Sequence, residues 1–368
     1  MLKNLKSQNN LSGFYIIYEG STNIEESGNY GISHLMEHLM CKTFDHMMDD
    51  FDRDGISWNA YTESNIINFH FTGLESRLGK YRQKILDAVS DFTVTKEQFE
   101  MERNVVLSEY EDYFNNQAYG HAMNLHRKLF NDYDPIGLRS DLEGLKFIDC
   151  LNFYEKQFMN PSKIINVSKT NTLSDLDIEF NTPKITRGEV TLGDHDVEFE
   201  LGNDFKDKTS LIMIAPPVKK DPAIINYINL MLSMGLRSPL YQEVREKKGL
   251  VYYVQCYQSR LNDTGINNIS TLTNNKNVKE VIETIDNVLS NPDKFLTKER
   301  YDIVNEYLTA KKEKEEILRY NFVGKHITPE GWSIYDILDT PYEKMREVYD
   351  QNYDFSKWHI SNDKKEFS

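Results

Sequence analysis

Two stretches 202 residues apart, "VTKEQFEMERNVV" from Val94 and "LTKERYDIVNEYL" from Leu296, spell closely similar helix starts. A second pair, "DGISWNAY" from Asp54 and "KGLVYYVQ" from Lys248, lies 194 residues apart. Similar offsets over a long span are what a duplicated domain leaves behind. Duplication constrains the fold more than any local pattern, because each half must then build the same kind of core.

The order of elements agrees. In the first half a strand at 13–18 precedes an amphipathic helix in "GISHLMEHLMCKTFD", followed by a short helix at 45–51. Residues 55–74 read as two adjacent strands, rich in aromatic and β-branched side chains. Helical periodicity covers 76–91, 96–113, 117–130 and 146–158, and "KIINVS" at 163–168 closes the series as a strand. The second half replays this with a strand at 208–217, helices at 221–234 and 238–247, strands at 250–259 and 266–273, then helices at 277–290 and 297–317. Residues 170–195 are polar and weakly patterned, which suits a linker between domains 1–175 and 176–368. Strand hairpins with helices between them imply an α+β fold of two structurally related domains, each an antiparallel sheet covered by helices. The terminal "NDKKEFS" is expected to fray.

The 368-residue chain carries a net charge of −15, and no basic stripe offers itself to phosphates, so no nucleic-acid partner is expected. No apolar run approaches the ~18 residues of a membrane span, and no membrane partner is expected. "MLKNLKSQNN" has neither the apolar core of a signal peptide nor the Arg-rich character of a transit peptide. Cys41, Cys150 and Cys256 lie far apart and make neither a disulfide framework nor a CxxC pair. A cytoplasmic location is the simplest reading.

One helix concentrates chemistry. His34 and His38 are four residues apart and so share a helix face, with Glu37 at its edge. Ser33 stands where an N-cap belongs, and Ile32, Leu35, Met36, Leu39 and Met40 supply the buried stripe. The bland alternative is an amphipathic helix with two incidental histidines. A catalytic zinc site needs three protein ligands and one open position, and His₂Glu is a known set. Glu102 and Glu109, seven apart on a later helix, are the available carboxylates. Cys41 is one turn beyond His38, but its apolar neighbours favour a packed core thiol. "DHD" at 194–196 around His195 reads as a solvated loop, and His121 with His126 has poor spacing for a common ion.

H-x-x-E-H, then 71 residues to Glu109 in "ERNVVLSE", resembles the pitrilysin-type inverzincins, a family of zinc metallopeptidases that includes mitochondrial processing peptidase and insulin-degrading enzyme. "GSTNIEESGNYGISHLMEHL" follows that family's approach to its zinc helix, and "NAYTESNIINF" resembles its substrate-binding edge strand. "GLRSPLYQEVREKKGLVYYV" resembles its second signature. The resemblance implies one Zn²⁺ per chain held by His34, His38 and Glu109, with Glu37 as general base and Glu102 orienting a ligand from behind. It further implies that Asn59, Ala60 and Tyr61 pair with a peptide backbone, and that Arg245 and Tyr252 contact substrate at the scissile bond. The implied activity is endopeptidase cleavage of unfolded or extended peptides, with zinc-bound water attacking, in a closed chamber of which this chain forms half a clamshell. Zinc and Arg/Tyr motifs on one chain suggest a homodimer whose sites are completed across the interface. A different class of function is a non-catalytic scaffold or assembly subunit that kept the fold. A structural zinc site is a third reading, although no convincing fourth ligand is visible.

Overall fold

The computed structural model describes residues 1–7, 9–130, 134–170, 173, 179–183, 193, 207–218, 222–261, 264–318, 324–327, 334–338, 340–363 and 366–367. They build two five-stranded sheets. The first comprises β1 (Leu2–Lys6), β2 (Leu11–Glu19), β3 (Ser57–Thr62), β4 (Ile66–Leu74) and β5 (Lys163–Ser168), in the order β1-β5-β2-β4-β3. The second comprises β6 (Lys208–Ile214), β7 (Val251–Leu261), β8 (Thr264–Asn274), β9 (His359–Asn362) and β10 (Glu366–Phe367), in the order β10-β9-β6-β8-β7.

The two orders superimpose: β2, β3, β4 and β5 correspond to β6, β7, β8 and β9. The copies differ at the outer edge. There β1 runs parallel to β5 from the start of the chain, whereas β10 runs antiparallel to β9 from its end. Neither edge strand is expected from the sequence, and "NDKKEFS" is not simply frayed. Asp363 accepts from Ser210 N at 3.1 Å and from Gln117 Nε2 at 2.5 Å, and Glu366–Phe367 pairs with Ile360 and Ser361. Two- and five-residue strands whose partners are far away, or whose pattern is too short, leave little local signature.

The helices used below are α1 (Ile32–Lys42), α2 (Lys96–Asn115), α3 (Gln117–Phe130), α4 (Pro222–Ser233), α5 (Val278–Leu289), α6 (Lys298–Leu318) and α7 (Tyr342–Asn352). Two compact units result: Met1–Tyr110, Tyr133–Gly188 and Glu315–Gly331 form one, and Glu111–Asp132, Glu189–Lys314 and Trp332–Ser368 the other. The division at 188–189 falls inside the 170–195 stretch, but each unit also takes a segment that a single cut near 175 assigns elsewhere. Most of that stretch, His195 included, lies outside the described residues. Among the described residues no helix is long and apolar enough to cross a membrane.

In the first unit, Phe14, Ile16, Phe69 and Phe71 are fully buried, and Phe44 meets Phe69 and Phe71 with ring centroids 6.0 and 5.3 Å apart. Leu35, Met36, Leu39 and Met40 of α1 are wholly buried, which at about 1.5–3 kcal/mol per side chain fixes the helix firmly. In the second unit α4, α5, α6 and α7 bury Ile225, Ile228, Val281, Ile285, Val304 and Val348 against β6, β7 and β8.

The entry to α1 departs from expectation. Ser33 lies inside the first turn, and the cap position belongs to Gly31, with φ +99°. Gly31 packs on Gly137 (φ +75°), where a Cβ would stand 2.3 Å from the Tyr30 carbonyl oxygen, so only glycine fits. The capping acceptor comes from upstream: the Glu25 carboxylate accepts from Gly31 N at 3.1 Å and Ser33 N at 2.8 Å. Negative charge at a helix N-terminus satisfies otherwise orphaned N–H groups.

Burial nevertheless dominates at Glu25. It lifts the carboxyl from 4.5 to about 7, against the pull of the Ser33 and Gly31 hydrogen bonds and with Asp141 adding to the rise. A folded pKa above the unfolded one means that the native state holds the extra proton, so this group's contribution to stability falls as pH rises from 4.5 to 7. Glu25→Gln removes the titration. Its stability relative to wild type should therefore climb between pH 5 and pH 8, by at most about 1.4 kcal/mol per pH unit. Urea unfolding of the metal-free protein over that range checks this, and a pH-independent difference contradicts it.

Candidate metal centre

Because α1 presents its apolar stripe to the sheet, His34, Glu37 and His38 fall on the flank that faces α2 and the β3 edge. The two imidazoles stand 4.8 Å apart, nearly perpendicular. From α2, Glu109 brings one carboxylate oxygen to 3.6 Å from His34 Nε2 and the other to 3.7 Å from His38 Nε2. Ligands around a tetrahedral ion with ~2.1 Å bonds sit roughly 3.4 Å apart, so the three side chains could close on one cation with little movement. Among the described residues, this trio is the cluster whose ligand atoms all lie within 4.8 Å of one another. The donor set, two ring nitrogens and a carboxylate, suits zinc.

The protonation states fit as well. Burial, reinforced by His38, lowers the His34 pKa to about 3, leaving a neutral ring with a free lone pair. His38 Nδ1 lies 3.2 Å from Glu102 Oε2, and a carboxylate only accepts, so the proton sits on Nδ1 and Nε2 is left to bind. Glu102 is held in turn by Lys42 Nζ at 2.9 Å. Lys42 is one turn beyond His38 on α1, a partner that sequence reasoning did not find. Cys41 stays outside the set: its sulfur is not among the converging ligand atoms, and burial, with help from Glu37, pushes its thiol well above the usual range.

Glu37 is 8% exposed. Burial raises its pKa, opposed by a hydrogen bond from Thr62 and by His38, while Glu109 adds to the rise. Thr62 Oγ1 donates to Glu37 Oε2 at 2.5 Å, a contact that sequence reasoning also missed. Thr62 ends β3, and among the described residues β3 is an edge strand paired only with β4, so Asn59, Ala60 and Tyr61 lie beside the sheet's edge.

In the second unit Arg245 occupies a widened helical turn, Tyr241–Glu246, with its guanidinium 4.6 Å from the Tyr241 ring centroid and 5.0 Å from that of Tyr252. Arg245 and Tyr252 are thus neighbours. The β7–β8 register slips between Val251 and Val254, so Tyr252 and Tyr253 sit on a bulge and Tyr252 projects, 78% exposed. Bulges re-aim side chains in this way. His121 is buried, with its ring nitrogens each 3.0 Å from a serine hydroxyl, of Ser210 and Ser361, and serves the packing of α3.

Comparison with known proteins bears on this arrangement. Residues 12–135 match the profile described as "Insulinase (Peptidase family M16)", and residues 161–306 that described as "Peptidase M16 inactive domain". A relative from Bacillus subtilis, "Uncharacterized zinc protease YmxG", is 25% identical over 71% of this chain and 68% of its own. Among solved structures, a protease from Helicobacter pylori superimposes with TM-score 0.80 at 16% identity, covering 98% of this chain and 96% of the other. A chain of Complex III2 from Candida albicans gives TM-score 0.73 at 13% identity over 98% and 92%. The paired sheets, the helix-borne His/Glu cluster and both profile matches agree: this chain belongs to peptidase family M16.

Proposed function

We propose that the protein is a zinc-dependent endopeptidase acting on extended or unfolded peptides. The observation that carries this is the convergence of His34, His38 and Glu109, with the buried carboxylate of Glu37 beside them and, among the described residues, no fourth protein ligand in the cluster. A structural zinc site would be closed by four ligands and needs no adjacent base. When bound, zinc lowers the pKa of water toward 7 and polarises a carbonyl, supplying the nucleophile and part of the transition-state stabilisation.

The chain's own groups do the rest. Glu37 takes a proton from water and passes it to the leaving amine, a role served by a carboxyl whose pKa burial raises. Glu102 and Lys42 keep His38 in the tautomer with Nε2 free. A peptide adds to the free edge of β3 through main-chain hydrogen bonds around Asn59, Ala60 and Tyr61, which asks for extension rather than for a particular sequence. Arg245 fixes a substrate carbonyl and Tyr252 donates to the developing oxyanion. Two copies face each other as a closed chamber, each lending Arg245 and Tyr252 to the other's metal centre.

The rival reading is a scaffold subunit, supported by the fold likeness to a chain of Complex III2 and by the profile named for an inactive domain. That profile match covers 161–306, whereas all four metal-centre residues lie in the other half. A scaffold has no use for the base.

Metal analysis with a quenched peptide library separates the readings. Glu37→Gln should keep about one zinc per chain and lose roughly a thousandfold in hydrolysis, while His38→Ala should lose the metal. Turnover that survives Glu37→Gln removes the base assignment, and zinc-loaded wild type that cleaves no peptide favours the scaffold. For the dimer, mixing inactive Arg245→Ala chains with inactive Glu37→Gln chains should restore part of the activity, and no rescue counts against shared sites.

A further inference from the structure

The strand edge proposed for substrate and the proposed base belong to one mechanical unit. Side chains alternate along β3, so Trp58, Ala60 and Thr62 share a face. Trp58 stacks on Phe71 and meets Phe44 beneath α1, with centroids 6.3 and 6.1 Å apart, which sets that face toward the helix. Thr62 is the last residue of β3, two positions beyond Ala60, and its Oγ1 reaches Glu37 Oε2.

The end of the strand is held from the other side as well. Glu63 N donates to Ile66 O at 2.8 Å, closing the turn. Gly20 N donates to Asn65 O at 2.8 Å, and Ser64 O accepts from Thr22 Oγ1 at 3.1 Å and Asn23 N at 3.2 Å. The hydroxyl is thus fixed in space by both the sheet and the turn.

We infer that Thr62 is a positioning residue that locks the Glu37 carboxylate for proton transfer and ties its aim to the register of the substrate-binding edge. The inference rests on the reading of Glu37 as the base. The terminal torsion of a glutamate is broad and roughly two-fold, so an unanchored carboxylate spreads over many orientations. With Oε2 held by Thr62, Oε1 is the oxygen left to take the proton. A hydroxyl suits this place better than a cation. It donates to the ionised carboxylate and can also accept from the protonated acid, so it stays a partner through both halves of the cycle. A lysine there would favour the ionised form alone and oppose proton uptake. The strand that lines up the peptide therefore also lines up the base, and the alignment is felt in turnover and not in binding.

Thr62→Val keeps shape and strand preference but removes the donor; Thr62→Ser keeps the donor. Steady-state kinetics on a quenched peptide, zinc affinity by chelator competition and peptide binding to a Glu37→Gln background test the inference together. Thr62→Val should lower kcat about tenfold with KM within about twofold, a loss of roughly 1.4 kcal/mol in transition-state stabilisation. It should leave zinc affinity, and peptide affinity in the Glu37→Gln background, within about threefold, and Thr62→Ser should recover most of kcat. A wild-type kcat in Thr62→Val overturns the inference while leaving the base in place. A parallel loss of zinc affinity, or no recovery in Thr62→Ser, marks a packing role and overturns it too. Full turnover in Glu37→Gln removes base and positioning residue together.

Discussion

Two imidazoles on one helix and a carboxylate on another are brought within a single ion's reach, and the remainder of the first unit serves that convergence. The arrangement is electrostatically loaded. Glu37, Glu102 and Glu109 crowd around the two rings, and among the described residues Lys42 is the cation bonded into the group, through Glu102. Gathering three carboxyl groups, with Glu37 and Glu102 buried and Glu109 half-buried, is costly unless a counter-charge is supplied, and a divalent cation would supply it. The fold keeps the cluster from relaxing apart by burying four apolar side chains of α1, by capping the helix with Glu25, and by the glycine-on-glycine contact at its entry.

Among the described residues, one of the two related units carries such a cluster. At the offset of 202, Phe99 and Val106 correspond to Tyr301 and Leu308, all buried, so α2 and α6 pack alike. At the same offset Glu102 corresponds to Val304 and Glu109 to Lys311. The counterpart of α1, α4 with the sequence PAIINYINLMLS, has no histidine or acid. The second unit shares the architecture and presents an exposed Tyr252 beside Arg245.

Legibility in the sequence followed the range of each interaction. The helical spacing of His34 and His38, the face shared by Glu102 and Glu109, and the β3–β4 hairpin are local patterns, and each stands where periodicity put it. What could not be read were contacts between elements whose mutual placement the chain does not spell out. Thr62 on Glu37, Lys42 on Glu102 and Glu25 across the start of α1 each join residues that only the folded packing aligns. Ser33 looked like the cap because a serine before an apolar run is the usual local signal. Gly31 took the position because close packing against Gly137 leaves no room for a side chain. β1 escaped notice since a short parallel strand is defined by a neighbour 160 or more residues away.

X-ray absorption at the zinc edge on the purified chain probes the convergence directly. The expected result is one zinc per chain with a first shell of light atoms only, nitrogen and oxygen at about 2.0–2.2 Å, and a contribution from one oxygen lost in Glu109→Gln. A sulfur neighbour at about 2.3 Å would bring Cys41 into the shell, and a spectrum indifferent to Glu109→Gln would take the carboxylate out of it. Either result contradicts the centre described above.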